Sequence, residues 1–315
     1  MRYGLFILFG LFSFPAFASL ADSAGKERIR FISLDYQNDY FNATDYYFTQ
    51  GVRLDAVAPV VGRSPFRLVL PKAGKKAQDV HGLLISQECF TPTRITSDTI
   101  LTGDRPFAAC IFIGQQRISS NAAAKYRLIS EVTFGFLGSR AGCMETQQTI
   151  HGWIDGIDPR GWQHQVSDAV IVNYHFRYEK PVLMKKSLEL IPFFGLRAGT
   201  LYDHAEAGIN LRTGRMNAYF DQYRRGTKKI MIYAELTGQV RTVAYNATLQ
   251  GGLFSGYNPY VIPGADIERL LLRGGGRLVL RFPGIALIYS RTWTSPEFRA
   301  GRRHGWGGIT VVADF

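Results

Sequence analysis

The stretch Val170-Ile-Val-Asn-Tyr-His-Phe-Arg-Tyr178 decides the fold class of this chain. Apolar or aromatic side chains occupy every second position, and mostly polar ones stand between them, at Asn173, His175 and Arg177. Because successive side chains of a strand point to opposite faces, the segment has one apolar face and one mostly polar face. This pattern is typical of a strand in a membrane β-barrel, whose apolar face meets lipid and whose polar face lines the lumen.

Segments of similar character lie on both sides of this stretch, at intervals suited to antiparallel hairpins. They predict strands near residues 28–37, 48–58, 81–90, 105–117, 126–138, 168–180, 187–203, 205–212, 228–245, 265–282, 284–295 and 304–315. We therefore predict an all-β fold, an antiparallel transmembrane β-barrel of about 12 strands, in one domain from residue 19 to residue 315. The glycines at 274–276 lie inside one of these strands and indicate a bulge or close packing.

Both ends of the chain favour export to a Gram-negative outer membrane. Residues 1–18 combine a short basic start, an apolar run and an Ala-x-Ala ending, which predicts a secretory signal peptide. No later run of about 18 apolar residues follows, so we expect no transmembrane helix. The chain ends in the alternating segment Ile309-Thr-Val-Val-Ala-Asp-Phe315, as outer-membrane barrels commonly do, although a soluble β-sandwich can end in the same way.

Composition agrees with a membrane barrel. Aromatic residues make up 13% of the chain and mean hydropathy is −0.05, because lipid-facing and lumen-facing residues cancel in the average. The formal net charge is +12, and export argues against nucleic acid as the partner. We expect basic loops to meet anionic lipid or lipopolysaccharide phosphates, with a merely solvated basic surface as the alternative.

Cysteine spacing and known motifs exclude several kinds of site. Cys89, Cys110 and Cys143 are odd in number and form no CxxC pair, which favours small buried groups or free thiols and allows one disulfide. No zinc-binding pattern of Cys and His occurs. A serine hydrolase is poorly supported, because no G-x-S-x-G is present.

An oxygen-rich loop joins the first two predicted strands, in the stretch Q-N-D-Y-F-N-A-T-D-Y-Y-F-T-Q-G-V-R from residue 37 to residue 53. Such a loop can hold a hard cation or a water nucleophile. Asp39 is the candidate Ca²⁺ ligand, Asn38 can ligate or orient, and Thr49 can supply a hydroxyl. The alternative is an ordinary surface hairpin with turn-forming Asn and Asp.

Between residues 142 and 166 the apolar period becomes helical, with Ile150, Trp153 and Ile154 on one face. His151 on this helix is the candidate general base, because imidazole titrates near neutrality and can take a proton from water. A packed or solvated histidine is the alternative.

The topology of an even-stranded barrel with a periplasmic N terminus places the polar loop, the segment around residues 90–105 and the His151 helix on the same rim. A cation against an ester carbonyl there would stabilise the developing oxyanion while His151 activates water. Arg105 can hold a substrate phosphate, with a rim salt bridge to Asp104 as the alternative.

Eight short motifs follow one another along the chain: N-D at 38–39, Y-F-T-Q-G-V at 47–52, F-T-P at 90–92, G-D-R-P-F-A at 103–108, E-x-Q-x-x-x-H at 145–151, G-W-Q-H-Q at 161–165, T-L-Q-G at 248–251 and S-P-E-F-R at 295–299. With this ordered set the chain resembles the LpxR-type lipid A 3′-O-deacylase family over most of its mature length. The resemblance implies a twelve-stranded outer-membrane barrel with its active site between the barrel wall and a helical outer loop. It also implies Ca²⁺-dependent hydrolysis of the 3′-linked acyloxyacyl ester of lipid A.

The resemblance assigns the family's Asn-Asp pair to Asn38 and Asp39, its threonine to Thr49 and its catalytic histidine to His151. Two positions depart from the family pattern.

The first departure is Thr102, where the family can carry a lysine. The second is Ile157, where the best-known members carry a glutamate, with Asp155 and Asp158 nearby as possible substitutes. Thr102 changes a position where the family can contact a lipid headgroup, and Ile157 changes a position that supports the metal site. The lipid specificity of this chain can therefore differ from that of the best-known members.

Two other functions remain open at this stage. One is a different outer-membrane lipid esterase of phospholipase type, and the other is a non-catalytic binding or structural barrel. A pore is disfavoured, because lumen faces that carry Arg, Tyr and Gln fill a barrel of this size.

Overall fold

The computed structural model describes residues 30–153, 156–222 and 229–315, which form a closed antiparallel β-barrel. The strands are β1 (Phe31–Asn38), β2 (Tyr47–Val57), β3 (Gln78–Thr91), β4 (Ala108–Asn121), β5 (Tyr126–Leu137), β6 (Ala169–Glu179), β7 (Leu183–Lys185), β8 (Leu188–Gly199), β9 (Tyr202–Arg215), β10 (Met231–Asn246), β11 (Leu270–Phe282), β12 (Ile285–Thr294) and β13 (His304–Asp314). The helices are α1 (Cys143–Trp153) and the single turn α2 (Ala247–Gln250). Pairing of β1 with β13 and of β6 with β8 closes the barrel, and β7 pairs only with β8.

The prediction of twelve antiparallel strands is confirmed, with differences at the ends of strands. The predicted strand from residue 105 begins only at Ala108, and the predicted turn near residue 204 was wrong, since the chain turns between Gly199 and Tyr202. The three-residue β7 was not predicted. The predicted helix is confirmed as α1, and the predicted signal peptide lies outside the described residues.

The glycine run at 274–276 reflects close packing and not a bulge. Pairing of β11 with both neighbours continues in register through it. A Cβ on Gly274 would lie 2.5 Å from Cζ2 of Trp293, so the ring of the neighbouring strand occupies that space.

Contacts across the barrel identify the inner face of the wall. Arg53 on β2 forms an ion pair of 2.9 Å with Glu131 on β5, and the Tyr202 hydroxyl on β9 donates to Glu88 on β3 at 3.0 Å. The alternate positions carry exposed apolar side chains that form a lipid-facing belt, among them Leu83, Ile85, Ile113, Phe134, Phe136, Val170, Val172, Phe194, Leu196, Ile209, Leu236, Leu272 and Leu287. Among the described residues, no helix is long and apolar enough to cross a membrane.

Charged side chains occupy much of the lumen, as the sequence predicted. Near one end a buried network joins Glu189, Arg212 and the turn at Tyr219. Nearer the other end a polar cavity of about 290 Å³ remains, lined in part by Arg197, Arg273 and His304.

The two ends of the barrel are named here by the segments that they carry. One end, here named the terminal end, holds the start of β1 and the end of β13. The opposite end, named the loop end, carries the connections β1–β2, β3–β4, β5–β6, β10–β11 and β12–β13.

Candidate functional site

The predicted site residues of β1, β2 and α1 meet at the loop end, on the outer face of the barrel wall. On β1, the Gln37 side chain accepts a hydrogen bond from Trp306 Nε1 at 2.8 Å in the lumen, so its neighbour Asn38 faces outward. On β2, the pairing with β3 shifts between Phe48 and Gln50, and this irregularity places Thr49 at an extra position.

Asn38 ends β1 and caps the short 3₁₀ turn Asp39–Asn42. Its Oδ1 accepts a hydrogen bond from the backbone N–H of Tyr40 at 2.7 Å, and its Nδ2 donates to the Tyr36 hydroxyl at 3.1 Å. This pair of bonds holds the amide in one orientation, as an Asn cap does at a helix start. The 3₁₀ turn that follows then positions Asp39, its first residue.

Asp39 is a buried carboxyl group, with 2% of its surface exposed. Its Oδ2 accepts a hydrogen bond from the backbone N–H of Tyr46 at 2.6 Å. Burial raises the pKa of Asp39 to about 8, and the nearby Asp45 carboxylate adds to the rise. A buried carboxyl group of this kind favours a bound proton or a bound cation over an uncompensated negative charge.

Asp45 links the loop to the other two predicted residues. The Thr49 hydroxyl donates to Asp45 Oδ1 at 3.3 Å. Burial raises the pKa of Asp45, while the charge of His151 opposes that rise, so the imidazole and this carboxylate are electrostatic neighbours. The structure therefore brings Asp39, Thr49 and His151 around Asp45, a residue that sequence reasoning had not selected, and Asn38 adjoins this group as the neighbour of Asp39.

The backbone at Tyr47 lets Asp45 and Thr49 approach each other. Tyr47 has φ +70°, in the left-handed region that aromatic side chains rarely adopt. Its ring is buried against Phe298 and His304, at centroid distances of 5.7 and 5.1 Å. Surrounding packing thus maintains a strained conformation beside the site.

Helix α1 is fastened to the outer face of β3. A disulfide joins Cys143, its first residue, to Cys89, and Gln87 Nε2 donates to the carbonyl of Ala141 at 2.7 Å. Of the three cysteines, Cys110 remains a free, buried thiol. One disulfide, which the sequence allowed without choosing a pair, is therefore present at the site.

The orientation of His151 is set at the end of this helix. Its Nδ1 hydrogen-bonds the backbone carbonyl of Ile157. Because a carbonyl oxygen only accepts, Nδ1 carries the proton and Nε2 of a neutral ring holds the lone pair. The bond thus leaves Nε2 as the basic atom.

The two positions that depart from the family pattern lie on the surface. Thr102 is exposed, and 59% of Ile157 is exposed while its backbone carbonyl holds His151. Asp158 lies near Arg160 at 3.7 Å with both side chains largely exposed, and Asp155 lies outside the described residues.

Arg105 lies apart from this group, inside the loop end of the barrel. Its guanidinium pairs with Glu297 at 2.6 Å, donates to the Thr248 hydroxyl at 2.6 Å and stacks on the Phe90 ring at 4.3 Å. Its side chain has no exposed surface, and Asp104 accepts a bond from its backbone N–H instead of a salt bridge. Contact with a substrate phosphate would require this group to leave Glu297.

The site offers carboxylate, amide and backbone oxygens, which are the ligand types that a hard cation such as Ca²⁺ prefers. Within the described residues, no cluster of three or more His, Cys, Asp or Glu side chains could hold a metal ion. Asp39 supplies one carboxyl group, whereas Ca²⁺ takes six to eight oxygens, so backbone, water or substrate oxygens would have to complete the shell. The desolvated carboxyl of Asp39 is the observation that fits a cation here.

Comparisons with known proteins identify the family of the chain and solved structures of similar fold. The chain matches the model of a family described as outer membrane protein LpxR, over residues 5–315. It is similar in structure to LpxR from Salmonella typhimurium, with a TM-score of 0.73 and 18% identity, covering 90% of this chain and 100% of that one. The β domain of the Bordetella autotransporter BrkA matches with a TM-score of 0.47 and 9% identity, covering 91% and 99% of the two chains. None of the curated protein sequences matches the chain.

Proposed function

Because the chain belongs to the LpxR family of outer membrane proteins, we propose that it is a lipid A deacylase that hydrolyses the 3′-linked acyloxyacyl ester. The observation that carries the proposal is the position of the site residues. Asn38, Asp39, Asp45 and Thr49 lie at the loop end of the wall, and His151 lies on the helix fastened outside it. A lipid of the outer leaflet reaches such a site by moving laterally, without entering the lumen.

The surroundings of His151 suit an acyl chain. Trp153 and Ile157 have 48% and 59% of their surface exposed, next to the histidine and at the level of the outer loops. Apolar surface of this kind contributes about 25 cal/mol for each Å² that an acyl chain covers. The ester carbonyl would then lie near the polar residues of the β1–β2 loop.

His151 acts as the general base. Its Nε2 takes a proton from water as the water oxygen attacks the ester carbonyl carbon. When the bond from that carbon to the sugar oxygen breaks, the imidazolium returns the proton to the sugar oxygen, which leaves a 3′ hydroxyl and a free acyloxyacyl acid. The Asp45 carboxylate stabilises the imidazolium, and Thr49 keeps Asp45 in place.

A Ca²⁺ ion held by Asp39 would supply positive charge opposite the developing oxyanion. The Tyr46 N–H orients this buried carboxyl group. Asn38, fixed by Tyr36 and Tyr40, has a second amide hydrogen that can donate to the same oxyanion.

Lipopolysaccharide phosphates have basic partners at the loop end. Exposed arginines lie in the outer connections, at Arg94, Arg140, Arg160, Arg299, Arg302 and Arg303. These side chains suit anionic headgroups in both charge and position. The buried Arg105 supports the same surface from below, through its contacts with the β10–β11 and β12–β13 connections.

The test is mass spectrometry of lipid A from a Gram-negative host that expresses the protein, with and without Ca²⁺. Loss of one 3′ acyloxyacyl group that depends on Ca²⁺ supports the proposal. Release of fatty acid from glycerophospholipid, with lipid A unchanged, would assign the site to a phospholipase-type esterase. A folded barrel that alters neither lipid would indicate a binding or structural protein.

A further inference from the structure

The connection between β2 and β3, residues 58–77, lies against the outside of the barrel at the terminal end. On β4, exposed Ile113 marks the outer face, and Gln115, Arg117 and Ser119 follow on that face at alternate positions. All three are buried, although they are polar and face away from the lumen. The connection is what covers them.

Hydrogen bonds fix the connection to the wall. Gln115 Nε2 donates to the carbonyl of Val61 at 3.1 Å, and Arg117 Nη1 donates to that of Leu70 at 2.8 Å. Further bonds join Ala73 N–H to Ser119 and the Tyr174 hydroxyl to the Val69 carbonyl, at 2.9 and 2.8 Å. The segment is therefore a fixed part of the outer surface.

The exposed side of the connection is apolar at one edge. Phe66, Leu68 and Val69 have 40%, 82% and 53% of their surface exposed. The Phe66 ring lies 5.5 Å from the ring of Phe134, which belongs to the lipid-facing belt. This edge is thus continuous with the part of the wall that meets lipid.

The rest of the exposed side is basic. Arg63, Arg67, Lys72, Lys75 and Lys76 are all exposed, within fourteen residues of sequence. Beside them is a cavity of about 300 Å³ lined by Arg30, Gly62, Arg63, Asp79 and His81, among others. Asp79, the carboxylate that lines this cavity, pairs with Arg117 at 2.8 Å and with Lys72 at 3.5 Å.

The depth of this surface matches the far interface of the membrane. Phe31, the partner of Val57 beside the cavity, is seven residues from Asn38 along β1. At about 3.3 Å per residue, the cavity and the candidate site are about 23 Å apart along the strand. At the usual strand tilt of about 40° this is about 18 Å along the barrel axis, which is most of the height of the apolar band of an outer-membrane barrel, about 25 Å. Because outer-membrane barrels place their longer loops outside the cell, we infer that the loop end faces outward and that lipid at the terminal end is the phospholipid of the periplasmic leaflet.

We propose that residues 58–77 form a docking surface for an anionic phospholipid of the periplasmic leaflet, with its acyl chains along Phe66, Leu68 and Val69 and its phosphate at the basic cluster and cavity. Clusters of Lys and Arg beside an apolar membrane contact attract anionic headgroups. The proposal does not depend on the hydrolytic activity, since it concerns the opposite end of the barrel.

Native mass spectrometry of the full, delipidated protein in detergent tests this surface, with phosphatidylglycerol and phosphatidylcholine as the two probes. The variant is Arg67→Ser/Lys75→Ser/Lys76→Ser. Its matched control is Lys180→Ser/Lys185→Ser/Lys186→Ser, which removes three exposed cations from the β6–β8 connection at the same end. We expect the unaltered protein and the control to prefer phosphatidylglycerol by about tenfold or more, and the first variant to lose that preference.

A second variant, Leu68→Ser, tests the apolar edge and is expected to weaken retention of both lipids. If the variant and its control lose the preference for phosphatidylglycerol to the same extent, the preference reflects only the net charge of the barrel and the proposal is overturned. Equal binding of the two phospholipids by the unaltered protein would also overturn it. Displacement of phosphatidylglycerol by lipid A would assign the surface to lipopolysaccharide instead.

Discussion

The guanidinium of Arg105 and the carboxylate of Glu297 form an ion pair of 2.6 Å between positions 192 residues apart in sequence. The pair joins two of the short motifs that the chain shares with the LpxR family, G-D-R-P-F-A and S-P-E-F-R. Thr248 and Phe90, from two further motifs, contact the same guanidinium. Residues of four sequence motifs therefore form one buried cluster around Arg105 that stabilises the loop end inside the barrel.

Replacing Glu297 with alanine should destabilise the barrel by about 3–5 kcal/mol, because the buried Arg105 would lose its charge partner. The measurement is the urea midpoint in detergent, with Glu268→Ala, an exposed acid of the neighbouring connection, as control. An Arg105→Lys variant with an unchanged midpoint and a raised KM would show instead that Arg105 contacts substrate.

The fold class could be predicted because alternation in β6 survives in the structure, with Val170 and Val172 exposed to lipid and Asn173 inside. Coverage of the outer wall by residues 58–77 could not, because Gln115 and Arg117 on the outer face resemble lumen residues in sequence.

The candidate site was partly predictable. Chain topology places Asn38, Asp39, Thr49 and His151 at one end of a barrel. Asp45 was missed, because its contact with Thr49 depends on the left-handed backbone of Tyr47, one of the three residues between them, and no pattern of residue types reveals such a conformation.

Breaking the disulfide should lower activity without unfolding the barrel. The Cys89–Cys143 bond fastens helix α1 to the wall, so its loss moves His151 relative to the β1–β2 loop. Displacement of a catalytic group by about 1 Å can cost on the order of a hundredfold in rate. We expect Cys89→Ser/Cys143→Ser to reduce kcat at least about tenfold, with Cys110→Ala as the control; equal kcat in both would show that the tether is dispensable.

Replacing His151 with alanine should lower hydrolysis by about 10²–10⁴-fold, because the general base is lost. The barrel should keep its heat-modifiable mobility in electrophoresis. His164→Ala, whose ring contacts the carbonyl of Asp98 in a nearby loop, should retain activity. Activity like that of the unaltered protein in the His151 variant would end the assignment.

Calcium binding should depend on pH through Asp39. Its pKa is raised to about 8 from an ordinary value of 3.8, so the folded, cation-free protein keeps a proton that the unfolded chain has released. The stability this group contributes therefore falls as pH rises from about 4 to about 8. A cation must displace that proton, so Ca²⁺ affinity should rise with pH in the same window, by up to about tenfold per unit. Calorimetric titration at about pH 6 and about pH 8 measures this, and Asp39→Asn should abolish the rise while the exposed Asp98→Asn leaves it.

Asp45 should act on the reaction through its neighbours and not as a major ligand of the cation. It accepts the Thr49 hydroxyl and faces the charge that develops on His151. Asp45→Asn keeps the shape of the side chain but removes its charge, so kcat should fall by about 10–100-fold while KM changes little. Asp98→Asn, an exposed acid of the β3–β4 connection, should leave both constants unchanged. If Asp45→Asn weakens Ca²⁺ binding as much as Asp39→Asn does, Asp45 belongs to the metal site; if kcat is unchanged, its proximity to His151 has no catalytic consequence.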